Sequence, residues 1–68
     1  MDQETFNRSI RQFLKSVGVG SQREIEQAVA RAVASGSISG PETLEATMTL
    51  EIAALQLEVK FDGRIALE

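Results

Sequence analysis

The sequence predicts a small α+β protein, because its hydrophobic period changes partway along the chain. Apolar residues recur at helical spacing through the first 36 residues and at every second position from residue 44 onward. A segment rich in Ser, Gly and Pro separates the two halves. We therefore predict a single domain, residues 1–68, with a helical half (1–36), a linker (37–43) and a β half (44–68).

A first helix is predicted over about residues 2–17. Its apolar side chains form one stripe at helical period: Phe6, Ile10, Phe13, Leu14 and Val17. Asp2 or Thr5 is suited to cap its start, and Gly18 is suited to the left-handed position that follows a helix end. The spacing therefore predicts that this helix stops before Gly18.

A second helix is predicted over about residues 21–35. Ser21-Gln22-Arg23-Glu24 has the pattern of a capping box, in which the Ser21 and Glu24 side chains accept hydrogen bonds from each other's backbone amides. Gly36 is the natural end of this helix. The two helices would form an αα-hairpin, turning at Val19-Gly20 and packing on the apolar face of a small antiparallel sheet.

Alternating apolar residues predict strands at about residues 44–52 and 55–61. A two-residue turn at Ala53-Ala54 would place Ile52 opposite Leu55 and would gather the apolar side chains on one face. Asp62-Gly63 is a turn signal that favours a third strand at about 64–67. The alternation is equally compatible with one long second strand, so both arrangements remain open.

Composition argues against an enzyme. The chain has no His, Cys, Tyr or Trp, so the usual neutral-pH base, the best nucleophile and the soft metal ligands are missing, and we expect no cofactor. No apolar run approaches the roughly 18 residues that span a bilayer, and the first twenty residues carry several charges. We therefore expect a cytoplasmic protein with no membrane segment, acting as a non-catalytic interaction or accessory module.

Five polar residues are candidates for partner binding: Arg8, Arg11, Lys15, Gln22 and Arg23. An alternative function is a nucleic-acid binder of helix-turn-helix type, with Gln22 and Arg23 reading bases. Glu24, Glu26 and a net charge of −3 disfavour a polyanionic partner. The expected partner is an unknown protein or a second copy, and a simple solvated face is the structural alternative.

A pair of carboxylates is a third candidate site. The predicted register places Glu45 opposite Asp62, where two carboxylates could hold a hard cation. The structural alternative is that they only repel each other in water.

Three segments resemble a family of short bacterial proteins of unknown function. They are S-I-R-Q-F-L-K at 9–15, V-G-V-G-S-Q-R-E-I-E at 17–26 and M-T-L-E-I at 48–52. The resemblance spans most of the chain and implies a free-standing bacterial protein, with no known activity or site residues to carry over. Some relatives have Gly in the turn where this chain has Ala53-Ala54, which supports a hairpin there.

Overall fold

A computed structural model describes all 68 residues as one helix and one β-hairpin, which confirms the α+β fold class. The elements are helix α1 (Gln3–Ser35), strand β1 (Thr43–Ile52), a single turn of 3₁₀ helix (Ala53–Leu55) and strand β2 (Leu57–Ala66). The chain divides into two compact units, Met1–Ser37 and Ile38–Glu68.

Helix α1 begins after Asp2, as the sequence predicted. One carboxylate oxygen of Asp2 accepts hydrogen bonds from the backbone amides of Glu4 (3.0 Å) and Thr5 (3.3 Å), and the other accepts from the Thr5 hydroxyl (2.8 Å). These bonds satisfy donors that have no partner inside the helix. The hydrogen bond from the Thr5 hydroxyl is the main cause that lowers the pKa of Asp2.

Helix α1 ends at Gly36, also as predicted. Gly36 has a left-handed backbone (φ 78°), and its amide donates to the Val33 carbonyl at 3.1 Å. The Ser37 amide donates to the Ala32 carbonyl at 2.9 Å, which completes a Schellman motif. Gly36 is the only glycine of the chain with a positive φ.

The predicted αα-hairpin is wrong, because α1 continues through Gly18 and Gly20 as one helix of 33 residues. Ser21 lies mid-helix and makes no capping box. A break here would leave several backbone donors and acceptors at each new end without helical partners. Keeping two glycines in a helix costs only about 1 kcal/mol each relative to alanine, and no proline forces an end.

The hairpin turn is longer than predicted. Ile52 pairs with Leu57, so residues 53–56 form a four-residue connection, and the predicted pairing of Ile52 with Leu55 is wrong. A two-residue turn of type I′ needs positive φ at both central residues, which alanine strongly disfavours. The observed turn uses one such residue, Gln56 (φ 52°), whose amide donates to the Ala53 carbonyl at 3.0 Å.

The favoured third strand is also wrong, since β2 runs straight through Asp62-Gly63. Both residues are paired within the ladder, Asp62 with Thr47 and Gly63 with Ala46. The Thr47 hydroxyl donates to Asp62 at 2.9 Å, which gives this carboxylate a partner inside the strand pair. The alternative of one long second strand is therefore confirmed.

No side chain of the single chain is buried. In the ribbon unit, Ile38–Glu68, Leu50 and Leu57 are half-buried and Val59 is 37% exposed. The one helix also lacks an apolar stretch of the length needed to cross a lipid bilayer.

Candidate interaction surfaces

The two-stranded ribbon has one face without any charged residue. Paired residues of an antiparallel ladder point to the same side, so the observed pairing fixes the members of each face. This ribbon apolar face consists of Leu44, Ala46, Met48, Leu50 and Ile52 of β1 with Leu57, Val59, Phe61, Gly63 and Ile65 of β2. The prediction that the apolar residues of the strands share one face is therefore correct, although the pairing partners differ.

Large side chains on the ribbon apolar face are open to solvent. Phe61 is 58% exposed and Met48, its cross-strand partner, is 43% exposed. Next to this pair, Ala46 and Gly63 carry almost no side-chain volume. A Cβ added at Gly63 would meet nothing within 4 Å, so the space beside Phe61 at this position is open.

The opposite face of the ribbon is polar and carries all the charged residues of the two strands. Its members are Thr43, Glu45, Thr47, Thr49 and Glu51 of β1 with Glu58, Lys60, Asp62, Arg64 and Ala66 of β2. The predicted pairing of Glu45 with Asp62 is wrong, because Glu45 lies opposite Arg64 and Asp62 accepts from Thr47. No group of three or more acidic side chains gathers into a metal site.

Helix α1 carries an exposed apolar stripe in its first half. The exposed fractions are 45% for Phe6, 40% for Ile10, 53% for Phe13 and 57% for Leu14. Exposed apolar side chains also follow the two glycines, with Ile25 at 36% and Val33 at 53%. Both units therefore present large apolar side chains to solvent.

The five predicted binding residues lie along this one helix. Arg8, Arg11 and Lys15 share one side of α1 over about 10 Å of helix length, because residues three or four apart are neighbours on a helix. Gln22 and Arg23 follow about two turns after Lys15, and the Gln22 amide donates to Glu26 at 3.3 Å. The structure thus places Gln22 on the same side as the first three, two turns further along, and turns Arg23 about 100° away from them.

A helix-turn-helix site does not exist in this structure. Its recognition helix would start near Ser21 and present Gln22 and Arg23 from a helix N-terminus. Both residues instead lie in the middle of α1, with no turn before them. The arrangement on which the nucleic-acid alternative depends is therefore absent.

A model for a family of unknown function, DUF6494, matches residues 1–68. The chain belongs to this family. The match covers the helix and both strands, so every element of this DUF6494 chain lies inside the matched length. No curated protein and no solved structure matched the chain.

Proposed function

We propose that this DUF6494 chain is a non-catalytic protein-interaction module whose binding surface is the ribbon apolar face. The single observation that supports this most strongly is that ten uncharged positions share one side of β1 and β2 while none of their side chains is buried. Contiguous exposed apolar patches on soluble proteins mark sites of interaction.

The stability of the ribbon supports the same proposal. An isolated two-stranded hairpin is at best marginally stable in water, and it gains independent stability when its apolar face packs against something else. The sheet of this chain has only two strands joined by one ladder, and no residue of either strand is buried. A bound partner would supply the missing packing.

The residue content supports a binding role over catalysis. His, Cys, Tyr and Trp are absent, and the acidic residues of the strands lie in pairs with Thr, Arg or each other. The absence of Cys also suits the reducing cytoplasm of a bacterium, where we place the module. Fractionation of cells that express the tagged protein tests this location, and recovery outside the cytoplasmic fraction would contradict it.

Site-specific photo-cross-linking in cells tests the binding surface. A photoreactive phenylalanine analogue replaces Phe61 on the ribbon apolar face or, as a matched control, Lys60 on the polar face of the same strand. We expect protein adducts from position 61 and far fewer from position 60. Equal yields from the two positions, or no adduct from position 61, would contradict the proposal.

A further inference from the structure

We propose that β2 pairs along its free edge with β2 of a second copy, antiparallel and centred on Phe61, so that two hairpins form one four-stranded sheet. This contact lies at the edge of the ribbon and leaves the ribbon apolar face open, so it goes beyond the proposed function and does not depend on it. The free backbone groups of β2, the order of its charges and the match of the two faces support this pairing.

Strand β2 has one full edge available for pairing. The sheet contains only β1 and β2, so each strand has a neighbour on one side alone. At the end of the ladder the Leu67 amide donates to the Glu42 carbonyl, so odd-numbered residues direct their backbone amides and carbonyls toward β1. The even-numbered residues from Glu58 to Ala66 therefore direct theirs to the open edge, and no proline interrupts the ten residues of the strand. Such an edge is a template for another strand.

The charges of β2 mirror each other about Phe61 with opposite sign. Lys60 and Asp62 flank Phe61 directly, and Glu58 and Arg64 lie three residues away on either side. A twofold axis at Phe61 therefore sets Lys60 of each copy opposite Asp62 of the other. It also sets Glu58 of each copy opposite Arg64 of the other. Opposite charges directly across an antiparallel ladder stabilise the pairing, so all four charged residues of β2 favour this contact.

The neighbouring registers are disfavoured by the same charges. A slide of two residues keeps every apolar side chain on its own face, so only the polar face distinguishes the registers. In one direction the slide pairs Lys60 with Lys60 and Glu58 with Asp62. In the other direction it pairs Asp62 with Asp62 and Lys60 with Arg64. Like charges directly opposite each other destabilise a strand pair, so the charges select the register centred on Phe61.

The order of charges also selects β2 over β1 and a second copy over an unrelated strand. The charged residues of β1 are Glu45 and Glu51, so pairing β1 with a second β1 would gather only negative charge on the polar face. An unrelated strand needs to complement β2 but does not require β2 to complement itself. A twofold contact between identical strands does require it, because both copies present the same residues.

The apolar side of the contact is compatible with the same pairing. The twofold axis is perpendicular to the sheet, so the ribbon apolar faces of the two copies lie on one side and become continuous. Phe61, which is 58% exposed in the single chain, would lie beside Phe61 of the second copy as an aromatic cross-strand pair. Val59 would lie opposite Gly63, where a Cβ would meet nothing within 4 Å. A sheet of four strands is also more stable than an isolated pair.

Disulfide trapping of the full chain tests the position of the contact, since the chain has no cysteine of its own. Phe61→Cys places one thiol at the twofold axis, where paired Cα atoms about 4.5 Å apart are within reach of a disulfide. Met48→Cys, at the cross-strand partner of Phe61, is the matched control, because its two copies would lie three strand spacings, about 14 Å, apart. Under mild oxidation we expect a linked dimer from Phe61→Cys and very little from Met48→Cys. Equal linking at the two positions, or none at position 61, would overturn the inference.

Exchange of charges tests the register by sedimentation equilibrium at low salt, from about 1 to 500 µM. Glu58→Lys and Arg64→Glu each set like charges opposite each other in a homodimer, so each alone should raise the dissociation constant roughly tenfold. An equimolar mixture pairs opposite charges again in the heterodimer and should restore the association of the wild type, which also shows that both variants fold. Glu51→Lys on β1 makes the same change of charge away from the contact and should leave association unchanged.

The failure of this inference is distinguishable from the failure of the proposed function. A wild-type chain that keeps the monomer mass of 7.4 kDa at every concentration, or a mixture that does not restore association, would overturn the inference. Adducts from position 61 to a protein of another sequence would still leave the proposed function standing. A dimer that responds to the exchange of charges but gives no such adducts would support the inference and contradict the proposed function.

Discussion

Asp2 makes the stability of helix α1 depend on pH. Its folded pKa lies below the ordinary value for an aspartate carboxyl, with the hydrogen bond from the Thr5 hydroxyl as the first cause. A lowered folded pKa gives stability that is present above the unfolded pKa and is lost as pH falls through the folded pKa. The ionised Asp2 carboxylate therefore stabilises the folded state at neutral pH. This contribution to the free energy of unfolding is lost when the carboxylate is protonated in acid.

Comparison with Asp2→Asn tests this dependence. Asparagine caps helices about as well as aspartate does but carries no charge at any pH. We expect wild type to unfold at a higher temperature than Asp2→Asn at pH 7, and the difference to shrink toward zero near pH 2. Thermal unfolding at the two pH values measures it, and a difference that does not change with pH would contradict the account.

The glycines of α1 differ in what they do. Gly18 and Gly20 lie inside the helix without a positive φ, and a Cβ added at either would meet nothing within 4 Å, whereas Gly36 needs its left-handed φ. Gly18→Ala should therefore raise the free energy of unfolding by about 1 kcal/mol. Gly36→Ala should lower it by about 1–2 kcal/mol.

Chemical denaturation at one fixed protein concentration measures both glycine variants. Gly36→Ala serves as the opposite control, because the same substitution is made where the backbone cannot accept it. A loss of stability in Gly18→Ala would contradict the expectation and would indicate that another chain approaches the helix closely at this position.

At the scale of elements, the turn of the hairpin depends on Gln56. This residue has a positive φ of 52°, which costs a residue with a Cβ about 1–2 kcal/mol relative to glycine. Gln56→Gly should raise the free energy of unfolding by roughly 1 kcal/mol. Ala54→Gly, in the 3₁₀ turn, is the control and should give no gain, which urea titration of both variants checks.

The elements also show which sequence signals were sufficient. The ends of α1 were predictable because Asp2 and Gly36 act through local hydrogen bonds and a local backbone angle. The interior of the helix was not, since Gly18 and the Ser21 capping pattern are signals that a continuous helix tolerates at small cost. Alternation predicted the faces of the ribbon, but it does not distinguish pairings that differ by two residues.

The candidate binding residues were also predictable only where local spacing determines their position. The spacing of Arg8, Arg11 and Lys15 correctly predicted a shared side of a helix, whereas Gln22 and Arg23 depended on a turn that does not form. The exposure of the ribbon apolar face was missed, because a pattern of alternating residues shows which side chains share a face and not what covers them. The lack of any charged residue at the ten positions of that face was the available signal.

For the whole molecule, self-association would make stability depend on protein concentration. A second copy that binds only the folded chain stabilises it by mass action, so dilution would then shift the equilibrium toward unfolded chains. For a self-associating chain, a hundredfold increase in concentration should raise the unfolding temperature by roughly 5–10 °C. Calorimetry across that range measures the shift, and a transition temperature independent of concentration would contradict a second copy as the partner.

The two-residue difference between the expected and observed ladders has a consequence for mutation. Sliding β2 by two positions would pair Leu50 with Leu57 in place of Val59, and every apolar side chain would stay on the same face of the ribbon. The connection at 53–56 and the polar face then select between the alignments, because the slide would break the hydrogen bond from Thr47 to Asp62 and set Glu45 opposite Asp62. The double substitution Ala53→Asn with Ala54→Gly favours a two-residue turn of type I′. We therefore expect the hairpin to stay folded and to pair Leu50 with Leu57 in place of Val59. NOEs from Leu50 would reveal the change.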